Sequence, residues 1–373
     1  SLRRLGIPVR ADEAREQFEI AGQGGRLLAE QAELFIGNSG TSARFLTALL
    51  ALGNGTYHID GIERMRERPI DELISALQNL GVQTHDENGT GCLPVTVKAT
   101  GLKGGKVLMR AQKSSQPLSA LLMVAPLAQS DIEIEIEGEL FSQPYIEITL
   151  RMMQQWGAEV SHENMRRFHI PGGQKYRAQN YSIEPDASSA SYFWAAAAVT
   201  GGRVRVQGIG SEALQGDAAF VDVLAQMGCI VEKNEEWIEV RGPKLLDGVD
   251  VDMNAISDTV MTLASIAPFA DSTTTINNIG HIRHKETDRI HAIVTELRRL
   301  GVEVEEREGG VTIHPQGQLQ AAQIETYDDH RMAMSFAITG LKAPGVTILD
   351  PGCVAKTFPD FWVRLDALCA KAR

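Results

Sequence analysis

Apolar positions along this chain keep changing period. Stretches with Ala, Leu, Ile or Met at every third or fourth place, the spacing of a helix with one buried face, alternate with short Val, Ile and Thr runs bounded by Gly, Asp or Pro, the mark of strands. The first pattern predicts opening helices over 38–51, 114–127, 186–200, 256–269 and 328–339. Each is followed by a strand, at 55–59, 132–136, 203–206, 273–276 and 346–349, and then by a second helix, at 70–80, 145–156, 218–227, 288–300 and 359–370. The middle three second helices lead into further strands, for example 302–304 with 311–313. Such helices close on an apolar residue followed by glycine, at Gly6, Gly81, Gly157, Gly228 and Gly301. Their period of about 73 residues is longer than that of solenoid repeats and fits a duplicated α/β unit of order βαβαββ.

Composition bounds the reading further. A length of 373 residues exceeds what one core usually supports, so one or two large domains are expected. No apolar run approaches the roughly 18 residues of a membrane helix, and no signal peptide pattern opens the chain, so the expectation is a soluble cytoplasmic protein without membrane contact. Cys92, Cys229, Cys353 and Cys369 lie far apart with neither CxxC nor Cys/His pairing, which argues for buried thiols and against disulfides or zinc. A net charge of −12 argues against general nucleic-acid binding. An anionic ligand would therefore need a local basic cluster.

The basic residues supply one because they fall at predicted helix starts: Arg44, Arg68 before Pro69, Lys113 before Ser114, Lys285 and Arg289 around Glu286 and Asp288, Arg331 after His330, and Lys356 before Thr357. A helix N-terminus presents unpaired N–H groups and about half a positive charge, so several such ends with added cations suit phosphate and carboxylate. Ordinary capping is the competing reading for Thr41-Ser42, Ser114-Ser115, Ser188-Ser189 and Asp328-Asp329. Capping does not account for Asn38-Ser39-Gly40-Thr41, where Gly40 would let a ligand approach the backbone, nor for Lys113-Ser114-Ser115-Gln116, which offers a cation, two hydroxyls and an amide.

Seven motifs together carry a resemblance. Asn38-Ser39-Gly40-Thr41-Ser42-Ala43-Arg44, Arg66-Glu67-Arg68-Pro69-Ile70, Ser114-Ser115-Gln116, Asp186-Ala187-Ser188-Ser189-Ala190-Ser191, Lys285-Glu286-Thr287-Asp288-Arg289, Asp329-His330-Arg331-Met332-Ala333-Met334 and Ala355-Lys356-Thr357-Phe358-Pro359-Asp360 occur in this order over essentially the whole chain. They resemble the EPSP synthase (3-phosphoshikimate 1-carboxyvinyltransferase) family. The resemblance implies an α/β (α+β) fold of two domains, 1–183 and 184–373, each a pseudo-threefold assembly of βαβαββ units like an inverse α/β barrel, closing over a cleft. It implies a monomeric transferase of the shikimate pathway of aromatic amino acid biosynthesis that takes shikimate 3-phosphate and phosphoenolpyruvate, is inhibited by glyphosate, and uses neither organic cofactor nor metal.

Residue by residue, the resemblance implies that Ser114, Ser115 and Ser142 with Lys285 hold the shikimate phosphate, that Gln116 contacts both substrates and that Tyr145 borders the shikimate ring. Phosphoenolpyruvate would be gripped by Arg68, Arg289, Arg331 and Lys356, with Gly40 close to its phosphate. Guanidiniums suit that task because they are always charged and bind oxyanions as a fork. Asp258 matches the general base for the 5-hydroxyl, Glu286 is the best remaining carboxylate for proton exchange at the methylene carbon, and His330 would support it.

Some positions depart from the family pattern. The N-terminal segment that carries a Lys-Ser motif and an Arg in the family does not precede Ser1, which would lie inside the first unit's second helix. The expectation is that residues 1–373 alone expose strand edges and lack activity unless that segment is supplied separately. His281 stands where some members place a substrate-binding Asn, and Phe45 where many have Pro. The alternative enzyme, the enolpyruvyl transferase acting on UDP-N-acetylglucosamine, usually carries a reactive Cys before its Arg-Pro, and 61–69 contains none. A non-catalytic module, or half of a split enzyme, is the alternative of a different class. No GxGxxG after a strand, GxxxxGK[ST], GxSxG or HExxH motif competes.

Overall fold

The repeat is built as one motif of strands and two helices. The structure, a computed structural model, describes residues 1–110, 114–138, 140 and 142–371. After a hairpin of β1 (Val9–Asp12) and β2 (Gln17–Ile20), the first full motif runs β3 (Gln31–Phe35), α1 (Gly40–Leu50), β4 (Asn54–Asp60), α2 (Asp71–Asn79), β5 (Gln83–Asp86) and β6 (Val95–Thr100). Its sheet has the order β3-β4-β6-β5, with β3 parallel to β4 and the later pairs antiparallel. The second motif, β7 (Gly105–Met109), α3 (Gln116–Val124), β8 (Ile132–Ile136), α4 (Gln143–Gln155), β9 (Ser161–Glu163) and β10 (Arg167–Ile170), repeats this as β7-β8-β10-β9.

The remaining motifs belong to a second unit. Helix α5 (Ala187–Thr200), β11 (Arg203–Gln207), α6 (Phe220–Gln226), β12 (Ile230–Lys233) and β13 (Trp237–Arg241) form the three-stranded order β11-β13-β12. The full pattern returns with β14 (Asp250–Asp252), α7 (Val260–Ile266), β15 (Thr274–Asn277), α8 (Arg289–Arg299), β16 (Val304–Arg307) and β17 (Gly310–Ile313), ordered β14-β15-β17-β16. Last come β18 (Gln323–Ile324), α9 (His330–Gly340), β19 (Thr347–Ile348) and α10 (Phe361–Lys371), with β18 parallel to β19. The chain divides into compact units Ser1–Tyr181 and Ser182–Arg373. Each has its own apolar core, one drawn from Leu5 to Ile170 and the other from Ala187 to Leu365. Among the described residues no helix is long and apolar enough to cross a membrane.

Local rules explain the elements. Strand β8 buries Ile132, Ile134 and Ile136 and exposes Glu133 and Glu135, the period-two pattern of a sheet with one wet face. All five closing glycines sit at left-handed φ between 81° and 90°, a region where a side chain would be strained. At Gly81 the amide bonds to Gln78 and the next amide, of Val82, reaches back to Leu77. The same pair of bonds recurs at Gly6, Gly157, Gly228 and Gly301. This is the Schellman closure, and the apolar residue after each glycine seals it.

The first helices of the motifs are the buried ones. Helices α5, α7 and α9 pack pairwise against one another in the second unit, as α1 and α3 do in the first. Small residues permit the close approach: Ala190, Ala195, Ala197 and Ala198 of α5 are buried, Ser191 hydroxyl meets Thr262 hydroxyl at 2.9 Å, and Thr339 hydroxyl donates to the Ser265 carbonyl at 2.8 Å.

Four expectations need correction. The helix expected over 256–269 is broken into a 3-10 turn at Asn254–Thr259, α7 and a second 3-10 turn at Ala267–Phe269. Ile256 has non-helical φ −125° and Pro268 cannot donate to a continuing ladder. The helix expected from 328 begins at His330, because Tyr327 and Asp328 are left-handed and Asp329 caps it. Caps elsewhere lie upstream of the serines and threonines named for them, at Ser39 and Asp186. Strand pairs follow the first motif's second helix as well as the middle three, since β5 and β6 come after α2.

Candidate active site

In the second unit the site is a net of charges at the starts of α7, α8 and α9. Asp258, in the 3-10 turn before α7, has its two oxygens held separately: Oδ1 accepts from Arg289 Nη1 at 3.0 Å and Oδ2 from Arg331 Nη2 at 2.9 Å. Arg289, the first residue of α8, is 1% exposed and also donates from Nε to Asp329 Oδ2 at 2.8 Å and from Nη2 to Glu286 Oε2 at 2.9 Å. Lys356 Nζ completes the net on Glu286 Oε1 at 2.8 Å. Asp329 is doubly used, because its Oδ1 also accepts the Arg331 amide at 2.9 Å as the cap of α9. A buried guanidinium needs this many acceptors, since desolvation costs several kcal/mol that one carboxylate does not repay.

The electrostatics follow from that packing. Burial pushes the Asp258 carboxyl up, but Arg331, Lys285 and Arg289 together outweigh it and hold the group well below the usual carboxylate range. Burial opposes the charge on Arg289 too, yet Asp329, Glu286 and Asp258 keep its pKa above the ordinary value. His330 is pulled down to about 4, first by burial and then by Arg331, so its ring is neutral near neutrality. Its Nδ1 stands 3.8 Å from Asp329 Oδ1, outside hydrogen-bond reach. His281 is likewise pulled down to about 4 by burial and by Lys285.

The first unit holds a second constellation. Arg68 Nη1 donates to the carbonyl and side-chain oxygens of Asn38, at 3.2 and 3.3 Å, and its guanidinium lies over Gly40, the first residue of α1. A Cβ on Gly40 would stand 2.9 Å from Arg68 Cζ, so only glycine leaves room for the side chain in this position. Arg44 fastens the two segments by donating to the carbonyls of Gly40 and Pro69. Gln116 Nε2 reaches Thr41 Oγ1 at 3.4 Å, which joins the start of α3 to that of α1. Ser114 Oγ accepts the Gln116 amide at 3.2 Å, while Ser115, though at the cap position, makes no side-chain cap bond. Ser142 precedes α4 at left-handed φ 55°, and Tyr145 lies in the first turn of that helix.

The structure therefore brings Asp258, Glu286, Arg289, Arg331 and Lys356 into one bonded net, with Lys285, His330 and His281 in its field. It brings Gly40, Arg68, Gln116 and Ser114 together in the other unit. Lys113 lies outside the described residues. Plain capping by Asp258 is not what is found, as its carboxylate goes to two arginines. Asp329, a member of the net, and Asp217, a buried carboxylate in the turn at Gly216–Ala219, carry no binding role in the sequence reading. Asp329 reads as a cap, and Asp217 is not singled out. The signal available for Asp329 was its adjacency to His330 and Arg331, whereas nothing in the sequence marks Asp217 as buried.

Comparison with known proteins identifies a family. The family model for EPSP synthase (3-phosphoshikimate 1-carboxyvinyltransferase) matches residues 1–365. A 3-phosphoshikimate 1-carboxyvinyltransferase of Nostoc punctiforme is 54% identical over 363 residues, covering 97% of this chain and 85% of that protein. One from Yersinia pestis is 50% identical over 371 residues, covering 99% and 86%. Among solved structures, EPSP synthase from Acinetobacter baumannii superposes with a TM-score of 0.79 at 26% identity, covering 96% of this chain and 84% of that one. With its motifs, its repeated fold and its net of arginines and carboxylates, the chain belongs to the EPSP synthase (3-phosphoshikimate 1-carboxyvinyltransferase) family.

Proposed function

We propose that this chain transfers the enolpyruvyl group of phosphoenolpyruvate to the 5-hydroxyl of shikimate 3-phosphate, giving 5-enolpyruvylshikimate 3-phosphate and phosphate. The observation that carries the reading is Asp258 clasped between Arg289 and Arg331, beside Glu286 clasped between Arg289 and Lys356. Enolpyruvyl transfer needs a base for the hydroxyl, a proton donor for the methylene carbon and fixed cations for phosphate and carboxylate. The net contains each.

In this reading Asp258 takes the proton of the 5-hydroxyl as its oxygen bonds to the central carbon of phosphoenolpyruvate, while Glu286 delivers a proton to the methylene. The tetrahedral ketal then loses phosphate, and a methyl proton returns to Glu286. Arg331, Arg289 and Lys356 donate to these same carboxylates. A substrate phosphate or carboxylate competes for those donors, and as it takes them it frees Asp258 and Glu286 and raises their basicity where a base is needed. Arg68 and Gly40 complete the grip on phosphoenolpyruvate. Ser114, Ser115, Ser142 and Lys285 take the shikimate phosphate, with Gln116 and Tyr145 along the substrate. Neutral His281 can donate and accept as an amide would, which suits the place of an Asn. Neutral His330 adds no charge to the net and so leaves Glu286 free to exchange its proton. A cytoplasmic monomer inhibited by glyphosate is part of the same proposal.

Phosphate release from phosphoenolpyruvate, measured with shikimate 3-phosphate or with UDP-N-acetylglucosamine as acceptor, tests the reading. Release that depends on shikimate 3-phosphate is expected. Release with the sugar nucleotide alone would overturn it.

A further inference from the structure

Behind the Asp258–Arg331 pair lies a carboxylate that the reaction scheme leaves unused. Asp217 is 4% exposed, in a 3-10 turn at Gly216–Ala219 that packs against the start of α5 and against the turn carrying Asp258. Its Oδ2 accepts a short hydrogen bond from the Ser188 hydroxyl. Ser188 and Ser189 are in turn fixed by Asp186, whose oxygens accept the Ser188 amide at 3.1 Å and the Ser189 hydroxyl at 2.6 Å. The charged groups that face Asp217 are Asp258 from the neighbouring turn, Arg331 from α9 and Asp186 from the start of α5. Asp222 of the following helix α6 is turned away, toward Lys233 at 2.6 Å.

Among the described groups named for this cluster, the carboxylates outnumber the cations by one if every group is ionised. Asp258, Glu286, Asp329, Asp186 and Asp217 would face Arg289, Arg331, Lys285 and Lys356, which leaves the carboxylates in excess where an anion must bind. Asp217 is the member that can give way. Burial, and next the charge of Asp258, push it up to about 6, whereas Arg331, Lys285 and Arg289 hold Asp258 ionised. An incoming oxyanion at Arg331 adds negative charge close by and draws that guanidinium's field toward itself. Both effects favour the neutral acid at Asp217.

We propose that Asp217 is a positioning residue that takes up a proton from solvent as anionic substrate binds, so that Arg331 is shared between the substrate and Asp258 without competition from a second buried carboxylate. The inference rests on the reading that phosphoenolpyruvate occupies the Arg331 end of the net. Asp217 touches no reacting atom in it and acts through Arg331 and Asp258. The proton goes from water or buffer to a carboxylate oxygen of Asp217, and leaves again with the product.

Isothermal calorimetry of phosphoenolpyruvate binding, in buffers of different ionisation enthalpy, reads the proton count directly. At about pH 7.5 the wild-type protein should take up more protons than Asp217→Asn by an amount approaching one, and the difference should vanish near about pH 5, where Asp217 is already protonated. Asn is a neutral isostere that still accepts from Ser188, so the variant keeps the packing. Ser188→Ala gives an independent check. Loss of the bond that favours the ionised form should shift the uptake to higher pH. Equal uptake in wild type and Asp217→Asn across this range, with normal binding heats, would overturn the inference alone. No binding of phosphoenolpyruvate by the wild type would overturn the substrate reading and this inference with it. A purely structural role for Asp217 would change affinity or stability and leave the proton count untouched.

Discussion

Arg331 donates its 2.9 Å hydrogen bond to a residue 73 places earlier, Asp258, and that separation is the repeat itself. Other pairs lie within three residues of it. Thr262 meets Ser191 across 71 residues, Thr339 meets Ser265 across 74 and Lys356 meets Glu286 across 70. Motifs of one plan that pack first helix against first helix bring equal phases together, so a period in the sequence becomes a contact in space. Within the charged net, Asp258 with Arg331 and Glu286 with Lys356 are such pairs, and Arg289 bridges the two across other separations.

If Asp258 acts in the transition state while Lys356 grips the ground-state substrate, their variants separate. Asp258→Asn should lose roughly a hundredfold or more in turnover with little change in phosphoenolpyruvate affinity, and Lys356→Ala should weaken that affinity. Steady-state rates paired with calorimetry measure both. Near-normal turnover in Asp258→Asn would remove it from the mechanism.

Arg289 is the only described group bonded to Asp258, Glu286 and Asp329 at once. Replacing it by Met leaves buried carboxylates without their shared cation and should cost about 3–5 kcal/mol of stability, as for other broken buried ion pairs. Urea unfolding at neutral pH reads this. A loss below about 1 kcal/mol would mean that the net relaxes by pairing with Lys285 or Lys356 instead.

A methyl group at residue 40 meets the far end of the flexible Arg68 side chain and the Arg44 guanidinium, rather than main chain. Gly40→Ala should therefore fold with nearly unchanged thermal stability, because Arg68 can swing aside. If Arg68 grips phosphoenolpyruvate as proposed, the swing removes one cation from it, and KM for that substrate should rise severalfold more than KM for shikimate 3-phosphate. Equal rises in both would argue that Arg68 holds neither specifically.

His330, pulled down to about 4 in the fold, titrates near 6.5 in an unfolded chain. The unfolded state thus binds the proton first as pH falls. His330 contributes no penalty above about pH 6.5, and stability should decline as pH drops from there toward about 4. Asp217, pushed up to about 6, acts in the opposite sense, gaining stability as pH falls from about 6 to about 4. Comparing wild type with His330→Gln isolates the histidine, and the variant should show the flatter acid limb in denaturant melts. Identical limbs would place a hydrogen-bonded, protonated His330 in the folded protein.

Much of this was legible in the sequence because it was local. Glycine after an apolar helix end has one common use, and all five took it. Of the cations marked near helix starts, Arg289, Arg331 and Lys356 lie in one bonded net with Asp258 and Glu286. What was hidden was nonlocal. Breaking of the helix expected over 256–269 depends on Ile256 adopting a non-helical φ so that Asp258 can face two arginines from other motifs. Asp217 gives no sign of burial by type or spacing, since a lone aspartate after Gly216 is as common in a wet turn. Asp329 hides behind its own local job as a cap.

The close packing of α5, α7 and α9 sets a dimension as well as a core. Helices α7 and α9 begin at the charged net, just after Asp258 and at His330, and α5 begins near Ser188, which donates to Asp217. Small side chains meet where these rods touch, Ser191 on Thr262 and Thr339 on Ser265. Enlarging one of them, even many residues below the net, pries the rods apart and lengthens the reach that a guanidinium must cover. The width of these small side chains is thus the gauge to which the charged net is cut.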